Sequence, residues 1–70
     1  MNNLKTITET DYVLCDKANN TLVKDSMGLI IIYGDRQDAE NDCYGNESVI
    51  PCTKLPKDLL EELLTQINSN

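Results

Sequence analysis

GLIIIYGDRQDAENDCYG, residues 28–45, changes character twice within eighteen residues. Leu29, Ile30, Ile31, Ile32 and Tyr33 make up the longest apolar run of the chain, and β-branched residues in a row favour a strand that is apolar on both faces. This predicts the central strand of a small sheet. Gly34 then breaks the run. Asp35 follows as a good helix N-cap, Asp38 sits where a negative charge favours the helix start, and Gly45 suits the left-handed position that ends a helix. The helix so predicted has a poor apolar face, because only Ala39 and Cys43 fall at i, i+4 spacing.

Upstream, YVLC at residues 12–15 and TLVKD at residues 21–25 are β-prone, and the DKANN between them has turn chemistry, which predicts a hairpin. Downstream, SVIPC at residues 48–52 reads as a short strand. Pro51 places that strand at an edge, since proline cannot donate to a ladder. LPKDLLEELLTQI, residues 55–67, is the clearest element: Pro56 stands at its start, and Leu55, Leu59, Leu60, Leu63, Leu64 and Ile67 form one apolar stripe. The expected fold class is α+β: a small two-layer sandwich of an antiparallel hairpin, a strand-helix-strand unit and a C-terminal amphipathic helix packed on one sheet face, in the order ββ-β-α-β-α. A chain of 70 residues is a single domain, 1–70, and only residues 1–10 and 68–70 are candidates for disorder.

A central strand of this kind sends apolar side chains to both faces, and two helices, one of them weak, comfortably cover one face. The other is then left for Leu4 and Ile7 to fold across, or for a second copy or another protein, with Ile30 and Ile32 forming the oligomer face. A core this small supplies only about 3 to 5 kcal/mol, so association is a natural support.

Charge restricts the partners. Twelve acids against six bases give a net charge of -6, which disfavours nucleic acid and anionic lipid and favours basic surfaces. Although Tyr33-Gly34-Asp35 leads from a strand through a glycine into a helix, the residues do not make a phosphate site. A dinucleotide fingerprint needs three glycines and a P-loop needs Gly-Lys-Ser/Thr, whereas here a carboxylate itself occupies the cap. Asp35, Asp38, Glu40, Asp42 and Glu47 stand against the single Arg36 and form an acidic knob. Asp38, Glu40 and Asp42 alternate like the first three ligands of a calcium loop, but Cys43 stands where that loop needs glycine and Val49 where it needs its closing acid. No metal and no cofactor is expected.

Cys15, Cys43 and Cys52 form no C-x-x-C and have no histidine to complete a zinc set, so they read as reduced, partly buried thiols. Without histidine, with no serine beside a plausible base, and with Cys43 in the most acidic part of the chain, no catalytic constellation is apparent and an enzyme is not expected. The N-terminal MNNLKTITETDY has no apolar run of signal-peptide length, and the sequons at Asn19 and Asn46 read as chance in an Asn-rich chain, so the expected location is cytoplasmic.

Very short, acidic, rich in Asn and Ile and without catalytic motifs, the chain resembles in type the small accessory proteins of bacteriophages and mobile elements. That resemblance assigns no role to any residue. The acidic knob itself gives the first reading: a non-enzymatic binding protein, an inhibitor of a host factor, in which Asp35, Asp38, Glu40, Asp42 and Glu47 contact a basic groove of the kind that normally holds nucleic acid. The alternative is a structural or assembly protein that homo-oligomerises through the leftover sheet face. A third option, an oligomeric sponge for a small ligand, has only scattered bases to offer: Lys5, Lys17, Lys24, Arg36, Lys54 and Lys57.

Overall fold

Residues 9–68 are described by the structure, a computed structural model, and the expectations for Leu4, Ile7 and residues 69–70 lie outside them. The central strand is β1, Tyr12–Asp16, with Val13, Leu14 and Cys15 buried in succession. Three adjacent buried residues mean that β1 is covered on both faces. Its antiparallel partners are β2, Thr21–Leu22, and β3, Glu47–Pro51, giving the sheet order β2-β1-β3.

The hairpin forms as its turn chemistry predicts. Asp16 accepts from the amide of Ala18 at 2.9 Å and from the Asn19 side-chain amide at 3.0 Å, and Asn20 takes the left-handed backbone (φ 55°) that asparagine tolerates. Cys15 then pairs with Leu22, and Asp16 with Thr21. β3 runs the whole length of β1, from Tyr12 opposite Pro51 to Asp16 opposite Glu47, and Pro51 lies on an edge strand as expected.

Residues 29–33 are not the central strand. They contribute two isolated bridges, Ile30 to Lys24 and Tyr33 to Tyr12. The reason lies in the hydrogen bonds of the preceding loop. Asp25 folds the preceding residues into a tight loop: its carboxylate accepts from the amides of Met27 (2.8 Å) and Leu29 (3.0 Å), its own amide donates to the Leu29 carbonyl, and Gly28 supplies a φ of 84°. β2 therefore ends early. The place it vacates on β1 is taken by Tyr33, which exchanges both backbone hydrogen bonds with Tyr12 at 2.7 and 2.8 Å. Between these points the Ile30 amide donates to Gln66 Oε1 (2.7 Å) and the Ile30 carbonyl accepts from Gln66 Nε2 (3.0 Å), so a side chain of the C-terminal helix replaces a neighbouring strand.

That helix, α2 (Lys57–Ile67), follows a single 3-10 turn at Cys52–Lys54 and buries Leu59 and Leu63. With Leu55 it packs against Val13, Cys15, Leu22, Ile30 and Cys52, with Ile50, Leu60 and Ile67 around them. Val13, Cys15 and Ile50 belong to one face of the sheet by register, so this is the face under α2. Leu14 points to the opposite face, and α1, Arg36–Asp42, packs there against β1 and β3 with Ala39 as its buried residue.

The expected leftover face is therefore not bare at its centre. The two helices lie on opposite faces, and Leu14 is buried. Ile30 is only 5% exposed within the chain's own core, so it is not part of an exposed face, whereas Ile32 is 38% exposed.

Candidate protein-binding surface

α1 begins where the sequence places it. Asp35 is the N-cap, in extended backbone, and its carboxylate accepts from the Gln37 amide at 3.2 Å. The helix ends at Asp42, three residues before Gly45, with the Cys43 amide donating to the Glu40 carbonyl. The positive φ of Gly45 (70°) serves instead the turn into β3, where the Glu47 amide donates to the Tyr44 carbonyl.

The 100° step between helical residues divides the acids. Arg36 and Glu40 lie on one flank of the buried Ala39, and Asp38 and Asp42 on the other. On the first flank Arg36 Nε donates to Glu40 at 2.8 Å, so the only base of the stretch neutralises Glu40. On the second flank Asp38 is exposed, and its carboxylate makes no hydrogen bond or ion pair with any described residue. Tyr33 Oη donates to Asp42 Oδ2 at 2.8 Å.

Burial, and after it the Asp42 hydrogen bond and charge, push the Tyr33 hydroxyl up to about 12, which keeps it protonated as a donor. Glu47, at the start of β3, accepts from the Tyr44 amide at 3.3 Å through Oε1, while its carbonyl accepts from Cys43 Sγ at 3.2 Å.

Of the five acids predicted as a contact surface, the structure thus brings together Asp42 and Glu47, with Asp38 one turn away. Asp35 is engaged as a cap and Glu40 as an ion-pair partner. Asp42 and Glu47 line one hollow of about 350 Å³ with Tyr33, Tyr44 and Asn41, over a floor that includes Leu14 and Ile31.

The sequence reading missed the two tyrosines. Tyr33 and Asp42 are nine residues apart, so no local spacing announces their contact. Tyr44 is 76% exposed, and a large ring beside a glycine turn was the one available signal. A second hollow, of about 530 Å³, lies between the Asp25 loop and α2, where Lys24 Nζ meets Glu62 at 2.9 Å.

The three thiols are free. Cys15 and Cys52 are buried and Cys43 is partly buried. Burial, with a smaller contribution from Asp11, raises the Cys52 thiol to about 11. Burial followed by Asp16 raises Cys15. Among the described residues no three His, Cys, Asp or Glu side chains gather as a metal ion would need, and no helix is long and apolar enough to cross a membrane. Comparison with protein-family models, curated proteins and solved structures found no match for this chain.

Proposed function

We propose that the chain is a small, non-enzymatic protein-binding module, an accessory protein of the phage or mobile-element type that inhibits a host factor by presenting acids to a basic, nucleic-acid-binding groove. The observation that supports this reading is the placement of Asp38 and Asp42 on one flank of α1 with Glu47 beside them, apart from the neutralised Arg36–Glu40 pair. Carboxylates spread over a surface steer a basic partner and make its binding salt-sensitive.

The test is capture from a host lysate by the immobilised chain, in parallel with the Asp38→Lys/Asp42→Lys variant, at low and high salt. Retention by the wild type alone, released by salt and by competing DNA, is the expected result. The same proteins retained by both chains would refute the reading.

A second reading, self-association in an assembly role, is favoured by one observation: Met27, Leu29 and Ile32 are 82%, 48% and 38% exposed. It differs from the first in predicting that Ile32→Lys turns a sedimenting oligomer into a monomer, while charge reversal on α1 changes nothing. A wild-type chain that sediments as a monomer at high concentration would remove it.

The edge of β3 offers little to such an assembly. Pro51 has no amide hydrogen, and Glu47 spends its amide on Tyr44 and its carbonyl on Cys43.

A further inference from the structure

The hollow between α1, β3 and the strand-like residues 29–33 combines aliphatic, aromatic and acidic side chains. Its floor is aliphatic, from Leu14 and Ile31. Two tyrosines, Tyr33 and Tyr44, stand at its sides, and two carboxylates, Asp42 and Glu47, are held there by one hydrogen bond each. In both cases the bond engages one oxygen, Oδ2 of Asp42 and Oε1 of Glu47. The other oxygen of each makes no hydrogen bond to a described residue. Among the described residues Lys24 is the one cation lining the hollow, and it is committed to Glu62 at 2.9 Å.

An apolar floor, aromatic rings and fixed carboxylates are complementary to a side chain with a long aliphatic stem and a flat cationic head. The guanidinium of arginine is such a head: it stacks on an aromatic ring and donates its N–H groups to carboxylates along its edges, whereas an ammonium is a compact, strongly hydrated point charge.

We propose that this hollow is a socket for an arginine side chain of the basic partner. The inference rests on the acidic-surface reading above and gives it a specific anchor. Tyr44 packs on the guanidinium, the free oxygens of Asp42 and Glu47 receive its N–H groups, and the stem lies over Leu14 and Ile31. Tyr33 acts as a positioning residue, orienting the Asp42 carboxylate through its hydroxyl.

The experiment is an NMR titration of the ¹⁵N-labelled full chain with n-butylguanidinium, with n-butylammonium as the control. Decalysine is added in separate samples as a probe of the acidic surface as a whole. Tyr44→Ala removes an exposed ring without changing charge, and Glu47→Gln removes a charge but keeps an acceptor for the Tyr44 amide. Asp38→Lys reverses a charge outside the hollow.

The expected result is saturable shifts at residues 33, 41, 42, 44 and 47 with n-butylguanidinium, stronger than with n-butylammonium. Tyr44→Ala should weaken binding about two- to fivefold, the factor that a cation–π contact at an exposed site contributes. Glu47→Gln should also weaken it, and Asp38→Lys should leave it nearly unchanged. Decalysine bound normally by Tyr44→Ala, together with unsaturable n-butylguanidinium shifts spread over all the acids, would overturn the socket and leave the acidic surface standing. Equal binding of the two small cations would refute the assignment to arginine. Failure of decalysine to bind the wild type, with the hollow still saturated by n-butylguanidinium, would support the socket and remove the broader reading.

Discussion

Replacing Gln66 by methionine keeps the length and flexibility of the side chain and removes both of its hydrogen-bonding groups. In the folded protein those groups bond the amide and the carbonyl of Ile30, at 2.7 and 3.0 Å, and the Ile30 side chain is in the core. Two hydrogen bonds at a net ~0.5 to 1.5 kcal/mol each amount to ~1 to 3 kcal/mol. The site is only part-buried, so water recovers some of this, and the expected loss is about 1 to 2 kcal/mol. For a domain of this length each kcal/mol moves Tm by ~4 to 8 °C, so Gln66→Met should melt ~4 to 16 °C below the wild type. Thermal unfolding followed by circular dichroism measures this. Hydrogen exchange locates it, because the Ile30 amide should lose its protection in the folded variant while Val13, paired with Ile50 in the sheet, keeps its own. A Tm within about 2 °C of the wild type and an unchanged Ile30 amide would refute the view that α2 pins residues 29–33 to the fold through Gln66.

Other perturbations probe the remaining elements. Asp35→Ala removes the α1 cap and should cost about 1 kcal/mol in urea unfolding, while Asp35→Asn, which keeps an acceptor, should cost less. With a thiol reagent at pH 8, Cys43 should react first, and Cys15 and Cys52 only as fast as the chain opens; three equally fast thiols would contradict their burial. The folded-state pKa values of Cys52, about 11, and Tyr33, about 12, both lie above their ordinary values. The stability linked to these shifts is complete below pH 9 and is lost as pH rises through 9 to 11 for Cys52 and 10 to 12 for Tyr33. The urea midpoint should therefore fall on going from pH 8 to pH 11, and Tyr33→Phe should lack the part of the fall above pH 10.

Elements whose hydrogen bonds are local were legible in the sequence. The hairpin rests on Asp16 and Asn20, α1 on Asp35, and α2 on the leucine stripe that begins beside Pro56. Each is specified by residues within a few positions of one another. Residues 29–33 were misplaced because the strongest β-former need not win the central position. β1 fills one edge with β3 and half of the other with β2, and what remains is a single residue pair at Tyr12. Two signals for this were present. Asp25 with Gly28 three residues later is turn chemistry that ends β2, and Gln66 is a polar residue seven positions after Leu59 on the apolar stripe of α2. The acids were legible as a charge run but not as a surface. Whether an acid caps a helix (Asp35), pairs with a base (Glu40) or faces a hollow (Asp42, Glu47) depends on helical phase and on partners such as Tyr33 and Tyr44, which the sequence does not place beside them.

The claim that an acidic surface on α1 and β3 receives a basic partner is tested most directly by titrating labelled decalysine with the wild type and with the Asp38→Lys/Asp42→Lys variant, at low and at high salt, by fluorescence anisotropy. The expected result is binding to the wild type that weakens steeply with salt, and none to a variant that circular dichroism shows to be folded. Equal binding of decalysine by both chains, or binding indifferent to salt, would contradict it.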